Sequence, residues 1–422
     1  MPKGSVVLRT VPIAVGLCAV IGLIWLWPSP DPGPDVPALS SFDAVYRAEV
    51  VGLEERPCRG AADPNVRCVV IRAELTEGPD AGTVGTVVTI EQPTSNPRIR
   101  TLTVGVGVVL GHQPQVEGFE YVFLEPDRRW PLLLLTGIFV AAVVVLGRWR
   151  GVASLLGLFA TLLVLFWFVV PSILDGNDPL LVSLAGAVVI AFFALYLSHG
   201  LNDRTTVALL GTLGGLGVAA ILSVGFMGLT TLTGLASEEA LVVSAVGTNV
   251  DLRGLILGGM IIGALGAIDD MTVTQASAVW ELRAADPTRS ARHLMRGGMR
   301  IGQDHVASTV NTLVLAYAGA SMPLLILFIL SDQSAGTIAN SEIVATEIVR
   351  TLVGSIGLVA SVPITTWLAG RVALAPIQRR GRHVAADDAP PPIDDAGPEE
   401  HPIPEHRRDV WLDRLRSTRR RD

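Results

Sequence analysis

Two adjacent carboxylates, Asp269 and Asp270, stand in a run of small and apolar residues that begins at Gly259. A carboxylate at membrane depth is costly unless it is paired, hydrated or protonated, so an acid in such a run marks a candidate for handling ions or protons. Gly259, Gly263, Gly266, Asp270, Thr274 and Ser277 recur at spacings of three and four, which places them along one helical face as a small-to-polar stripe. Asp269 points roughly 100° away from Asp270. A second reading stays open, in which the helix leaves the membrane at Asp269 and the pair are ordinary boundary residues. Farther along, Gln303-Asp304-His305 leads into another apolar run, where Asp304, Ser308 and Asn311 share a face and Asn311 needs a partner inside a bundle. Asp203 and Arg204, just after His199, open a further span. The candidates for transport or coupling are therefore Asp203, Asp269, Asp270, Asp304 and Asn311. The blander alternative is that inner-face loops are simply polar and that Asp203 with Arg204 caps a helix.

Other chemistries find little support. An intramembrane aspartyl protease needs two carboxylates that share a proton across facing helices. Asp269 and Asp270 are neighbours on one helix and point apart. The chain has no Gly-x-Gly-Asp, no Walker loop, no Gly-x-Ser-x-Gly and no His-Glu-x-x-His, so no enzyme activity is expected. His112 is isolated in sequence, and neither a metal site nor a cofactor is expected. No basic stripe with interleaved aromatics suggests nucleic-acid binding. Cys58 and Cys68 lie in a polar segment; if that segment is outside the cell, they can close a short disulfide loop, the alternative being two free thiols on adjacent strands.

The elements that must position these residues follow from composition. The 422 residues are 50% hydrophobic and 17% charged, with a mean hydropathy of +0.50. The apolar residues fall in blocks of about 20, the helical length that crosses a bilayer. The expected fold is a polytopic α-helical membrane protein of about eight transmembrane helices. They lie near 9–27, 131–147, 151–172, 179–198, 205–230, 253–280, 309–331 and 349–371. Pro323 and Pro363 are expected to kink the last two. Arg148 and Arg150, Arg204, the run Arg283 to Arg300, and Arg371 to Arg382 flank alternate loops, whereas 173–178, 231–250 and 332–348 contain no Lys or Arg. The positive-inside rule then puts both termini in the cytoplasm and residues 28–130 outside. Four regions result: residues 1–28, a cytoplasmic end and anchor helix; 29–130, an extracytoplasmic linker and β domain; 131–375, seven helices; and 376–422, a cytoplasmic tail. Alternating segments such as Val45–Val51, Arg67–Leu75 and Thr86–Ile90, separated by Gly-rich breaks, predict five or six short strands, a small barrel of OB-like type. In the tail, 384–409 reads as disordered, and Arg407 to Arg421 as a solubilising end or a short helix on anionic lipid. Gly211-Thr212-Leu213-Gly214 and Gly354-Ser355-Ile356-Gly357 echo one another in spans of opposite direction, as an inverted repeat would, although coincidence is the better explanation of four residues.

Several of these segments together carry a resemblance. They are Gly263-Ala264-Leu265-Gly266-Ala267-Ile268-Asp269-Asp270 with Thr274-Gln275-Ala276-Ser277, Asn311 through Ser321, Glu347-Ile348-Val349-Arg350, and Asp203 through Thr212. The set resembles the YibE/F-like bacterial membrane proteins, over roughly residues 43–375. The resemblance implies a multi-pass protein of the bacterial inner membrane and supplies no catalytic residue. Two functional readings remain. One is a permease for a small ion or small molecule, cation- or proton-coupled. The other is a scaffold or sensor in the lipid bilayer whose outer domain binds a protein partner. Substrate and oligomeric state are not readable from the sequence.

Overall fold

The computed structural model describes residues 3–29, 42–58, 66–78, 81, 87–113, 120–245, 250–331 and 333–374. Most of the Pro-rich linker and the whole tail beyond Leu374, including its amphipathic segment, lie outside the described residues.

The helices are α1 (Lys3–Trp25), α2 (Arg129–Val164), α3 (Val170–Leu174), α4 (Pro179–His199), α5 (Asp203–Leu229), α6 (Glu238–Ala245), α7 (Leu252–Ala285), α8 (Ala291–Ala320), α9 (Met322–Leu330), α10 (Ala335–Asn340) and α11 (Glu342–Val372). Five helical stretches are long and apolar enough to cross a membrane, or six if α8 and α9, bent by 62°, form one broken span. The number differs from eight for two reasons. The apolar part of α1, Thr10–Trp25, is short, and the expected second and third spans run together as Arg129–Leu174. Those 46 residues would measure about 69 Å as one straight helix, over twice a hydrocarbon core of about 30 Å. They are not straight. Arg148 has φ 53°, and a Cβ built on Gly151 would lie 3.3 Å from Val143 Cγ1, eight residues back. A continuous helix would separate those positions by about 12 Å. The turn expected at Arg148 to Arg150 is this break.

Proline acts differently at its two expected kinks. The α8–α9 break falls at Ser321, where Pro323 can occupy the first turn of α9 without needing an N–H partner. α11 continues through Pro363. α8 also starts far earlier than 309, because its first half is held in the bundle by Leu294, Gly298 and Gly302, all buried.

Hydrogen bonds gather one end of the helices. Ser172 Oγ donates to the Leu26 carbonyl at 2.7 Å, and Ser29 N donates to Asp175 Oδ2 at 2.9 Å. The Glu342 carboxylate accepts from Thr233 N at 2.6 Å, Thr233 Oγ at 2.8 Å and Gly234 N at 2.8 Å. At the opposite end, Arg204 faces Glu281 at 3.6 Å, an exposed pair of little energetic weight. At the centre, α7 packs against α4, α5, α8 and α11, whereas α2 packs chiefly on α4. Triplets related as an inverted repeat would give α2 and α7 equivalent neighbours, so the packing does not carry the faint sequence echo.

Between α1 and α2 lies a five-stranded antiparallel sheet of β1 (Ala44–Pro57), β2 (Arg67–Leu75), β3 (Val87–Pro93), β4 (Gly107–His112) and β5 (Tyr121–Pro126), in the order β3-β2-β1-β4-β5. β1 is long enough to pair on both sides, and its irregularity between Val50 and Gly52 bends the sheet into a half-barrel. Val50, Ile71, Ala73, Val108 and Leu110 fill the concave side, each essentially inaccessible. Cys58 and Cys68 are joined as a disulfide, with Cα atoms 4.9 Å apart. Where β5 runs into α2, a crevice of about 470 Å³ is lined by Arg47, Glu77, Glu125, Asp127, Arg128 and Arg129. Its charges are paired: Arg47 with Glu77, Arg128 with Glu125 at 2.7 Å, and Arg129 with Asp127 at 2.8 Å.

The pairing at Asp127 makes the domain sensitive to acid. The Arg129 side chain and backbone N–H both donate to Asp127 and hold its carboxyl at about 2, below the ordinary 3.8. A depressed carboxyl stabilises the fold above its ordinary value and loses that contribution as pH falls towards about 2. The β domain is expected to lose melting temperature between about pH 4 and pH 2, and Asp127→Asn to flatten that slope in a pH series of thermal melts. Cys68→Ser removes the cross-link and is expected to destabilise the β domain by about 2–4 kcal/mol, measured by urea unfolding followed by circular dichroism.

Candidate functional site

The polar centre of the bundle lies where α5, α7 and α11 meet, and glycine permits the meeting. A Cβ on Gly215 would stand 2.8 Å from Ser361 Cβ and 2.9 Å from the Gly357 carbonyl; one on Gly357 would stand 2.9 Å from Ala219 Cβ. Small residues at such contacts let helix backbones touch in a membrane, where apolar burial drives little association. The shared face of Gly211 and Gly215 is thus a packing face, turned to α11.

Against it α7 presents Asp269, half-buried, and Thr272, fully buried. Thr212 of α5, also fully buried, bonds Thr272 Oγ at 2.7 Å and lies 3.5 Å from Asp269 Oδ1. Thr272 Oγ donates to the Asp269 carbonyl at 3.0 Å. Each hydroxyl has a single proton. If Thr272 donates to that carbonyl, Thr212 donates to Thr272 and none is left for the carboxylate. The 3.5 Å contact is at the outer limit of a hydrogen bond. Among the described residues no Lys, Arg or His makes an ion pair with Asp269. The site therefore holds a carboxylate between hydroxyls without a cation of its own, an arrangement suited to exchanging a proton or a small cation. Thr212 lies nine residues, about 14 Å, in from the start of α5. α7 stays packed for a further ten residues, to Val279, so the bundle does not end at Asp269.

The stripe of small and polar residues faces the other way. Gly259, Gly263, Gly266 and Asp270 are exposed, and a Cβ on Gly259 or Gly266 would meet nothing within 4 Å. The packed face of α7 is instead Gly258, Ile261, Ala264, Leu265, Ile268 and Gln275. Asp269, not Asp270, thus points into the bundle. Asp270 lies within electrostatic reach of His199 on α4, which also senses Arg150 and Arg204.

The remaining candidates scatter. Asp203 is exposed in the first turn of α5; the cap is Asn202, whose Oδ1 accepts from Thr205 N at 2.9 Å. Asp304 is exposed on α8. Asn311 is exposed as well and makes no side-chain hydrogen bond among the described residues. It sits on the outward side of α8, whose neighbours Val310 and Leu313 face the bundle, so the interior partner expected for it is absent there. A residue not singled out from sequence does more. Gln275, fully buried, donates from Nε2 to the Gly298 carbonyl at 2.8 Å and to Thr366 Oγ at 2.6 Å, tying α7 to α8 and α11. Its signal in the sequence is its spacing, seven residues after Ile268 and four after Met271, which puts a polar amide on the same helical face as these apolar side chains.

The glycine contacts give a contrasting pair of variants. Gly215→Leu is expected to lower stability by at least about 1–3 kcal/mol through overpacking against α11. Gly266→Ala, with open space beside it in a helix interior, is expected to raise the melting temperature in detergent slightly, by the equivalent of about 0.4–1 kcal/mol.

The family model of the YibE/F-like proteins matches residues 135–374, more than half of the chain. The chain belongs to the YibE/F-like family. The match begins within α2 and leaves out the β domain, so it is narrower than the resemblance over 43–375. No curated protein and no solved structure matches the chain.

Proposed function

Taking membership of the YibE/F-like family as premise, we propose that this membrane protein is a permease for a small ion or molecule, coupled to a proton or cation through Asp269. The observation that carries the reading is the Asp269 carboxylate set between Thr212 and Thr272 without a cationic partner among the described residues. An acid at membrane depth is a functional site by default. No catalytic chemistry is assigned to the chain.

The accompanying topology has eight spans: α1, the two arms either side of Arg148, α4, α5, α7, the broken pair α8–α9, and α11. Arg148 and Arg150 at the turn of α2, Arg204 after α4 and the Arg-rich segments after α7 and α11 then face the cytoplasm of a bacterial cell, with both termini. The β domain lies outside, as an OB-like barrel left open between β3 and β5. Sidedness is supported by the loops 173–178 and 231–250, which lack Lys and Arg, at the end where α1 is tied to Asp175.

A second reading rests on the β domain as a folded unit with a core of its own, which would make the outer domain a receptor for a protein partner and the helices its scaffold. Flux separates the two. Purified protein in liposomes is expected to carry a proton or cation current across a broad solute panel, lost in Asp269→Asn and largely kept in Asp270→Asn. Absence of current from wild-type protein, or full current in Asp269→Asn, would count against coupling at this acid. The scaffold reading instead requires loss of function on deleting 42–126 with silent substitutions at Asp269.

A further inference from the structure

A second charged cluster lies near the other end of the same helices. Arg350 of α11 is eight residues, about 12 Å, in from Glu342. Its Nη1 forms an ion pair with Glu347 Oε1 at 3.1 Å, and the two side chains are 28% and 29% exposed. Tyr317 of α8 lies within electrostatic reach of both charges. A Cβ on Gly263 of α7 would stand 3.0 Å from the Tyr317 hydroxyl. Along α7 a Cβ on Gly259 or Gly266, on either side, would meet nothing within 4 Å, and Asp270 one turn beyond Gly266 is exposed.

An ion pair with more than a quarter of its surface open, at this depth, cannot face hydrocarbon without a large cost. The opening therefore holds water or a polar solute. The unused bonding capacity fixes the sign of that solute. A guanidinium carries five N–H donors. Glu347 pairs with the charge at Nη1, and Nε is buried with no acceptor. One turn earlier the buried Thr346 hydroxyl also has no partner. An N–H only donates and a hydroxyl can donate or accept, so an acceptor would serve both, and oxyanions that present two oxygens match a guanidinium edge in geometry and charge.

We propose that Arg350, positioned by Glu347 and flanked by Tyr317, binds a small oxyanion of carboxylate or phosphate type at the mouth of a water-filled crevice along the glycine face of α7. The assignment rests on the transport reading for its purpose and adds the substrate class. Its test does not need transport.

In a Cys18→Ser background, Gly259→Cys and Gly266→Cys would be labelled in membrane vesicles with two methanethiosulfonate reagents, one bearing a sulfonate and one a trimethylammonium group. Ile356→Cys, on the outward apolar face of α11, is the control. Both glycine positions are expected to react about tenfold faster than the control, because a thiol in contact with water ionises to the reactive thiolate and one in hydrocarbon does not. The sulfonate-to-ammonium rate ratio is expected to fall several-fold with Arg350→Gln, to survive Arg350→Lys and to rise with Glu347→Gln. The last variant decides the matter if Arg350→Gln does not reach the membrane. Labelling as slow as at Ile356→Cys, or a ratio indifferent to residues 347 and 350, overturns the proposal. Since labelling requires no turnover, loss of the crevice and loss of coupling at Asp269 are read separately.

Discussion

Gly215 on α5 and Gly357 on α11 face each other so closely that a Cβ on either would collide with the other's carbonyl oxygen, at 2.9 and 3.1 Å. The rest of the membrane domain depends on that approach. With the two backbones in contact, α7 can close the third side, and Ile268 packs against both glycines. Only then do Thr212, Asp269 and Thr272 come within bonding distance. In lipid the apolar effect gives helices little reason to associate, so close backbone packing and interhelical hydrogen bonds must do so. The Gln275 amide serves that purpose between α7, α8 and α11.

The same rule explains which parts of the chain lie loose on the bundle. α9 has no buried residue, and the first arm of α2 is exposed along most of its length. Both are rich in Leu, Ile, Phe and Val and lack closely packed small residues. In water such surfaces would be a liability; beside hydrocarbon they are at equilibrium. Among the polar groups left uncovered, Asp270, Asn311 and the Glu347–Arg350 pair are ones for which lipid offers no such rest.

Much of this could be read from sequence, and the failures have definite physical causes. Strand alternation located all five strands because each buries one face. The turn at Arg148 was legible because arginine in a short apolar interruption has nowhere else to go. Periodicity showed that α7 has a glycine stripe but not which side of α7 meets its neighbours, since Gly254 and Gly258 form a second small-residue set on the packed side. That is why the sequence leaves open which of Asp269 and Asp270 points into the bundle. Glu347 and Arg350 passed as a loop and its boundary because hydropathy starts the last span near 349, whereas α11 begins at Glu342, held there by Thr233 and Gly234. Hydropathy does not register a helix that carries its charges inward.

The β domain is joined to the membrane in two unequal ways. On one side the chain comes from α1, whose end is tied to Asp175, through a Pro-rich linker. On the other, β5 passes into α2 with no linker, only Asp127 and Arg128, and with Arg129 clamped to Asp127. The second attachment is a stiff axle, and a pull or twist on the β domain would be delivered through it to the first arm of α2. That arm has few contacts with the bundle and ends at the sharp break at Arg148. Mechanically it is a lever with a free shaft and a single elbow, able to swing without first prising apart the packed core.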